Sequence, residues 1–201
     1  KYGSHMHRKT IRVTVGLVLL ACVGAYLVPQ TGVAGRMADA VSDVERYYSM
    51  NDADTNVGTR LELWKASAMM IAEHPFVGVG RDAFFDELQA LAHEGRLQKS
   101  IALIYSTPHN DVLNTLATGG LLDLSFLLLI YGAPFAFFLR TLRHGPPAAA
   151  APALAGVLLV ICFIVFGLTD VMFWLMLTQV FYATAVCILV GFCLTAKLLP
   201  S

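Results

Sequence analysis

The sequence predicts an all-α integral membrane protein: four transmembrane helices, with a helical, non-cytoplasmic segment between the first and second. Three observations lead there. First, 57% of the 201 residues are hydrophobic and only 14% are charged, against about 25% charged in a typical soluble domain. Second, the apolar residues gather in four runs, 11–28, 119–139, 148–168 and 171–196. Each is long enough, the first marginally, to cross a hydrocarbon core about 30 Å thick. Third, the stretch 29–118 alternates helix patterns with breakers and is no simple linker. The net charge is zero, so no bulk field draws the chain to nucleic acid.

Taken in order, residues 1–10 contain Gly3-Ser4-His5-Met6, a string typical of cloning scars, and are given no structural weight beyond a cytoplasmic N-terminus. Arg8, Lys9 and Arg12 flank the start of the first span, 11–28. Arg140 and Arg143 lie in the connection 140–147, and Lys197 in the tail 197–201. Basic residues mark cytoplasmic ends, and four spans satisfy all three sites. The turn 169–170 and the segment 29–118 then fall outside. That segment holds seven Lys/Arg against twelve Asp/Glu, the acidic balance the rule expects.

Inside 29–118, residues 36–48 read as an amphipathic helix with Met37, Val41 and Val44 on one side, and 51–58 as a polar loop. Thr59 and Glu62 have capping-box spacing, so a helix is expected from Thr59 to about His74, stopped by Pro75. Phe76-Val77-Gly78-Val79-Gly80 reads as a flexible turn. A second helix spans 82–94, with Phe84, Phe85, Leu88 and Leu91 as its stripe and Gly95 at its end. A third starts with Thr107 as cap and Pro108 in the first helical position, and leads through Gly119-Gly120 into the second span.

Arg60 then falls in a first helical turn, where a cation opposes the helix dipole. Local sequence favours a solvated arginine whose stem covers Trp64. An anionic ligand would reverse the sign, because helix N–H groups and a guanidinium together suit phosphate. His109 is also expected in a first turn, where a neutral imidazole can accept a hydroxyl proton, donate to a phosphate oxygen, or simply cap. Asn110 could orient it or a ligand. Asp123 and Asp170 are the acids beside the later spans; Asp170, in a tight turn, reads as structural. Cys22, Cys162, Cys187 and Cys193 lie in apolar runs and read as buried small hydrophobes. No histidine or cysteine pair has metal-site spacing, so no metal is expected.

Arg60-x-x-x-Trp64, then His74-Pro75-Phe76-Val77-Gly78-Val79-Gly80, then His109-Asn110-Asp111-x-Leu113-Asn114 and Gly119-Gly120-Leu121 together resemble the O-antigen ligase family. Its superfamily includes O-antigen polymerases and bacterial protein O-oligosaccharyltransferases. The resemblance covers roughly 55–125. In the ligase signature, His109, Asn110 and Gly120 fit; Asp123 stands where Gly, Thr or Tyr is usual. The resemblance implies transfer of a glycan from undecaprenyl diphosphate to lipid A–core oligosaccharide, with inversion and without metal, ATP or cofactor. The site would lie on the periplasmic face of the bacterial inner membrane, in a multi-pass protein surrounded by membrane lipids. Arg60 would bind the diphosphate and His109 would act on the acceptor hydroxyl or orient the diphosphate. Trp64, Asn110, Asp111 and Gly120 would support them. Family members have about a dozen spans, so four imply a C-terminal portion, with a further essential arginine upstream. O-antigen polymerisation and protein glycosylation are the alternatives with the same donor. A transporter or non-catalytic scaffold is the alternative of another class, disfavoured because polar groups cluster outside the spans.

Overall fold

The computed structural model describes residues 16–17, 20–21, 23–98 and 100–198. Among the described residues every regular element is helical and none is a strand. The chain divides into two compact units, Lys1–Gly58 and Thr59–Ser201. Of the first expected span, 11–28, residues 11–15, 18–19 and Cys22 lie outside the described residues, as do the N-terminal ten residues, 99 and 199–201. What is described of that span is helical at 16–17, 20–21 and 23–27, and Val28 is not.

In the first unit, Gly32 takes φ +68° and opens α1 (Val33–Ser49). Met37, Val41 and Val44 share a face at helical spacing, as expected, and all three are exposed. An Arg46–Asp52 ion pair fastens the end of α1 to the following turn. The Asp52 carboxylate also accepts the Asp54 N–H at 3.0 Å. That N–H, and then Arg46, hold its carboxyl below the ordinary aspartate range.

Helix α2 runs Asn56–Glu73. It starts before the expected Thr59, because Thr55 caps it first: its Oγ1 accepts the Gly58 N–H at 3.0 Å. Thr59 and Glu62 are therefore buried helix-interior residues rather than a capping box. Glu62 accepts the Gln98 N–H at 2.7 Å and stands 3.5 Å from the Lys65 ammonium.

In the second unit, Leu63, Ala66 and Met70 of α2 pack on Phe84, Leu88 and Leu91 of α3 (Phe84–His93), with Ala117 completing the same core. Phe85, expected in that stripe, turns outward and is exposed. Gly95 ends α3 at φ +72°, the left-handed exit expected of it.

Three long helices follow: α4 (Asp111–His144), α5 (Ala150–Gly167) and α6 (Met176–Leu198). The stretches Asp111–His144, Pro147–Gly167 and Met176–Ala196 are long and apolar enough to cross a membrane. Leu127 and Tyr131 of α4 pack with Val160 and Phe163 of α5 and Tyr182 of α6. Lower down, Phe138 meets Ala153, Val157 and Cys193. Gly156 allows this approach: a Cβ there would lie 2.4 Å from the Phe138 ring. Cys193 is buried as expected, but Cys162 and Cys187 are exposed; a thiol is a small apolar group and is at ease facing lipid. Helix α6 begins at Met176 rather than at 171. The amides before it are committed elsewhere: Val171 N–H to Asp170 at 2.8 Å, and those of Met172 and Phe173 to the Asp111 carboxylate.

Candidate functional site

The glycine-rich stretch after α2 is a bound strap, not a flexible turn. Val79 N–H donates to Ala117 C=O at 2.8 Å and Gly80 N–H to Thr118 C=O at 2.9 Å. In return Leu121 N–H reaches Pro75 C=O at 2.9 Å and Leu122 N–H reaches Phe76 C=O at 3.2 Å. The acceptors and donors on α4 are free because the helix breaks at Gly120, with φ +64° and ψ −158°. A Cβ on Gly120 would stand 2.3 Å from the Phe76 carbonyl carbon, and one on Gly78 2.3 Å from that of Thr118. Glycines on both sides thus let two backbones meet.

Immediately before α4, three consecutive residues grip one turn. His109 takes the left-handed conformation, φ +50°, and its Nδ1 lies 3.4 Å from Asp170 Oδ1. Its ring packs edge-on against Tyr105, centroids 5.1 Å apart. Asn110 caps α4, its Oδ1 accepting the Leu113 N–H at 3.0 Å, and its Nδ2 donates to the Leu168 C=O at 3.1 Å. Asp111 is buried and accepts the Tyr131 hydroxyl at 2.9 Å. A Cβ on Gly167 would press on this carboxylate at 2.9 Å. The cap is therefore Asn110, not Thr107, and Pro108 and His109 precede the helix. An asparagine with free choice of geometry caps well, and Pro108 forces the residue before it out of helical space.

Arg60 and Trp64 lie one turn apart on the same face of α2. Trp64 Nε1 donates to the Pro108 C=O at 3.0 Å, joining α2 to the turn that carries His109. Arg60 is exposed and, among the described residues, pairs with no carboxylate. It lies in the second turn of α2, so the helix dipole weighs on it less than expected.

Residues 4–128, more than half of the chain, match the family model described as O-antigen ligase. The chain belongs to the O-antigen ligase family. It is 31% identical over 109 residues to an O-antigen ligase of Pseudomonas aeruginosa, covering 54% of this chain and 22% of that one. It is also 25% identical over 142 residues to an uncharacterized protein of Haemophilus influenzae, covering 71% of this chain and 35% of that one. The chain thus spans about a third or less of the length of these relatives. Family and apolar helices together make this O-antigen ligase-family chain part of a multi-pass membrane protein.

Two cavities meet at Asp111. One, of about 450 Å³, opens between Arg81–Asp82, the first half of α4 and the turn that carries Val171, Phe173 and Trp174. The other, of about 270 Å³, is an apolar groove between α4 and α5 bordered by Leu128, Phe135 and Ile164. Four side chains take places that the sequence reading did not assign them. Asp170 faces His109; Arg81, Asn114 and Asp123 line the larger cavity. The signal for Asp170 was its isolation between two apolar runs. For Asp123 it was its departure from the ligase signature.

Proposed function

We propose that the protein to which this chain belongs transfers a glycan from undecaprenyl diphosphate to lipid A–core oligosaccharide, at the periplasmic face of the bacterial inner membrane. The observation that carries this reading is His109. It is held by Asp170 on one nitrogen, fixed in a left-handed turn, and set where α4 runs into an apolar span. With Nδ1 directed at Asp170, Nε2 is left to take the proton of an acceptor hydroxyl. The hydroxyl oxygen bonds to the anomeric carbon from the side opposite the diphosphate. The carbon–oxygen bond to phosphate breaks, and the electron pair leaves with the polyprenyl diphosphate. Asp170 stabilises the imidazolium that forms. The Arg60 guanidinium binds the diphosphate oxygens and the charge that grows on them. Trp64, Asn110, Asp111 and Gly120 hold these groups in place, and the apolar groove between α4 and α5 accommodates prenyl chain. No metal or cofactor enters this scheme.

Asp123, at the position where the ligase signature carries another residue, favours keeping O-antigen polymerisation and protein glycosylation as second readings with the same donor. Reconstituted full-length protein, given an undecaprenyl-diphosphate-linked glycan, separates them. Glycan on lipid A–core is the expected product. Product only on a growing O-antigen, or only on a pilin-like protein, reassigns the acceptor. No transfer to any of the three contradicts the reading.

A further inference from the structure

The cavity between Arg81–Asp82, α4 and the 171–174 turn supports an inference that rests on the transfer reading but concerns residues other than His109 and Arg60. Its volume of about 450 Å³ lies within the usual range of about 300–1,000 Å³ for small-ligand sites. One side is polar, with Arg81, Asp82, Asn114, Thr115 and Asp123. The other is aromatic, with Phe126, Phe173 and Trp174, and both Phe126 and Trp174 are exposed. Asn114 is 8% exposed, and its Oδ1 has no hydrogen-bond partner. A buried carboxamide oxygen left unpaired is costly unless a ligand or water satisfies it.

The charges narrow the ligand class. One arginine faces three carboxylates, those of Asp82, Asp111 and Asp123, so a phosphate is repelled. Among the described residues these carboxylates do not gather into a group able to hold a metal ion. An uncharged polyol suits the site, because each hydroxyl both donates and accepts. Carboxylates and the Asn114 oxygen take its protons, while the guanidinium, the carboxamide N–H and Thr115 meet its oxygens. The apolar C–H face of a sugar ring can lie on an aromatic face such as that of Trp174. We propose that this cavity is a sugar-binding subsite, separate from the diphosphate site, that holds one pyranose of the reacting glycans. That ring comes from either the donor glycan or the acceptor oligosaccharide, which share this chemistry.

Full-length protein in nanodiscs, titrated with lipid-free core oligosaccharide and separately with lipid-free O-glycan, tests the subsite by calorimetry. Binding of the first makes it an acceptor subsite; binding of the second makes it a donor subsite. Asn114→Ala and Asp123→Asn are expected to weaken that binding about tenfold. Arg81→Met, at an exposed position whose loss leaves the core intact, is expected to do the same. Arg60→Ala and His109→Ala should abolish transfer yet bind the sugar within about twofold of wild type. Unchanged binding in all three cavity variants overturns the subsite and leaves the transfer reading standing. So does a wild type that transfers glycan but binds neither sugar. A wild type that neither binds nor transfers overturns both.

Discussion

Gly120 shows how much one residue can decide. At φ +64° and ψ −158° it occupies backbone space that other residues enter only with strain of about 1–3 kcal/mol. A methyl group there would also drive into the Phe76 carbonyl. Gly120→Ala should therefore cost about 3 kcal/mol or more and lower the thermal unfolding midpoint in detergent. Gly132→Ala, in open space on the same helix, should not. Asn110→Ala removes a helix cap worth about 1 kcal/mol together with the bond to Leu168; the same melt measures it. In the proposed mechanism Asp170 positions His109. Asp170→Ala should lower kcat about tenfold with KM little changed, whereas loss of a merely structural turn would lower the folded fraction instead. Arg60, Trp64, His109, Asn110 and Gly120 were legible in the sequence as candidates, through the family pattern. Their partners were not, because Asp170 is 61 positions from His109 and nothing local links them.

At the scale of elements, the sequence located α1, α3 and the start of the second span, since their apolar periodicity and glycine ends are local signals. It misplaced two caps. Thr59 and Thr107 both have the right chemistry, but Thr55 and Asn110 also do and win by geometry. It read 76–80 as flexible because glycine density looks the same whether it permits motion or close backbone contact. The strap makes a distinction measurable. Hydrogen exchange should be slow at Val79, Gly80, Leu121 and Leu122, whose N–H groups cross between strap and helix. Exchange at Val79 and Gly80 as fast as in an unstructured peptide would contradict it. In the turn after α1, Asp52 has its carboxyl held below the ordinary value of 3.8. Its contribution is therefore fully present above that pH and is lost as pH falls through the lower folded value. A carboxyl NMR titration should show a midpoint below 3.8, moving up towards it in Arg46→Ala.

At the scale of the whole molecule, three spans were legible as long apolar runs, and the structure shortens the last because its first amides bind Asp170 and Asp111. The proposed orientation puts 140–147 in the cytoplasm and 169–170 in the periplasm. A cysteine placed at residue 145 should be labelled by an impermeant reagent only in inverted vesicles, and one at residue 169 only in intact spheroplasts. That geometry would bring His109, Arg60 and the polar cavity to the side where lipid-linked glycan is presented. The central claim is that His109 and Arg60 carry glycan transfer, and a reconstituted transfer assay of the full-length protein tests it most directly. His109→Ala and Arg60→Ala should each reduce transfer to lipid A–core at least about a hundredfold while the protein still inserts and melts as wild type does. Transfer at the wild-type rate by either correctly inserted variant would contradict the account.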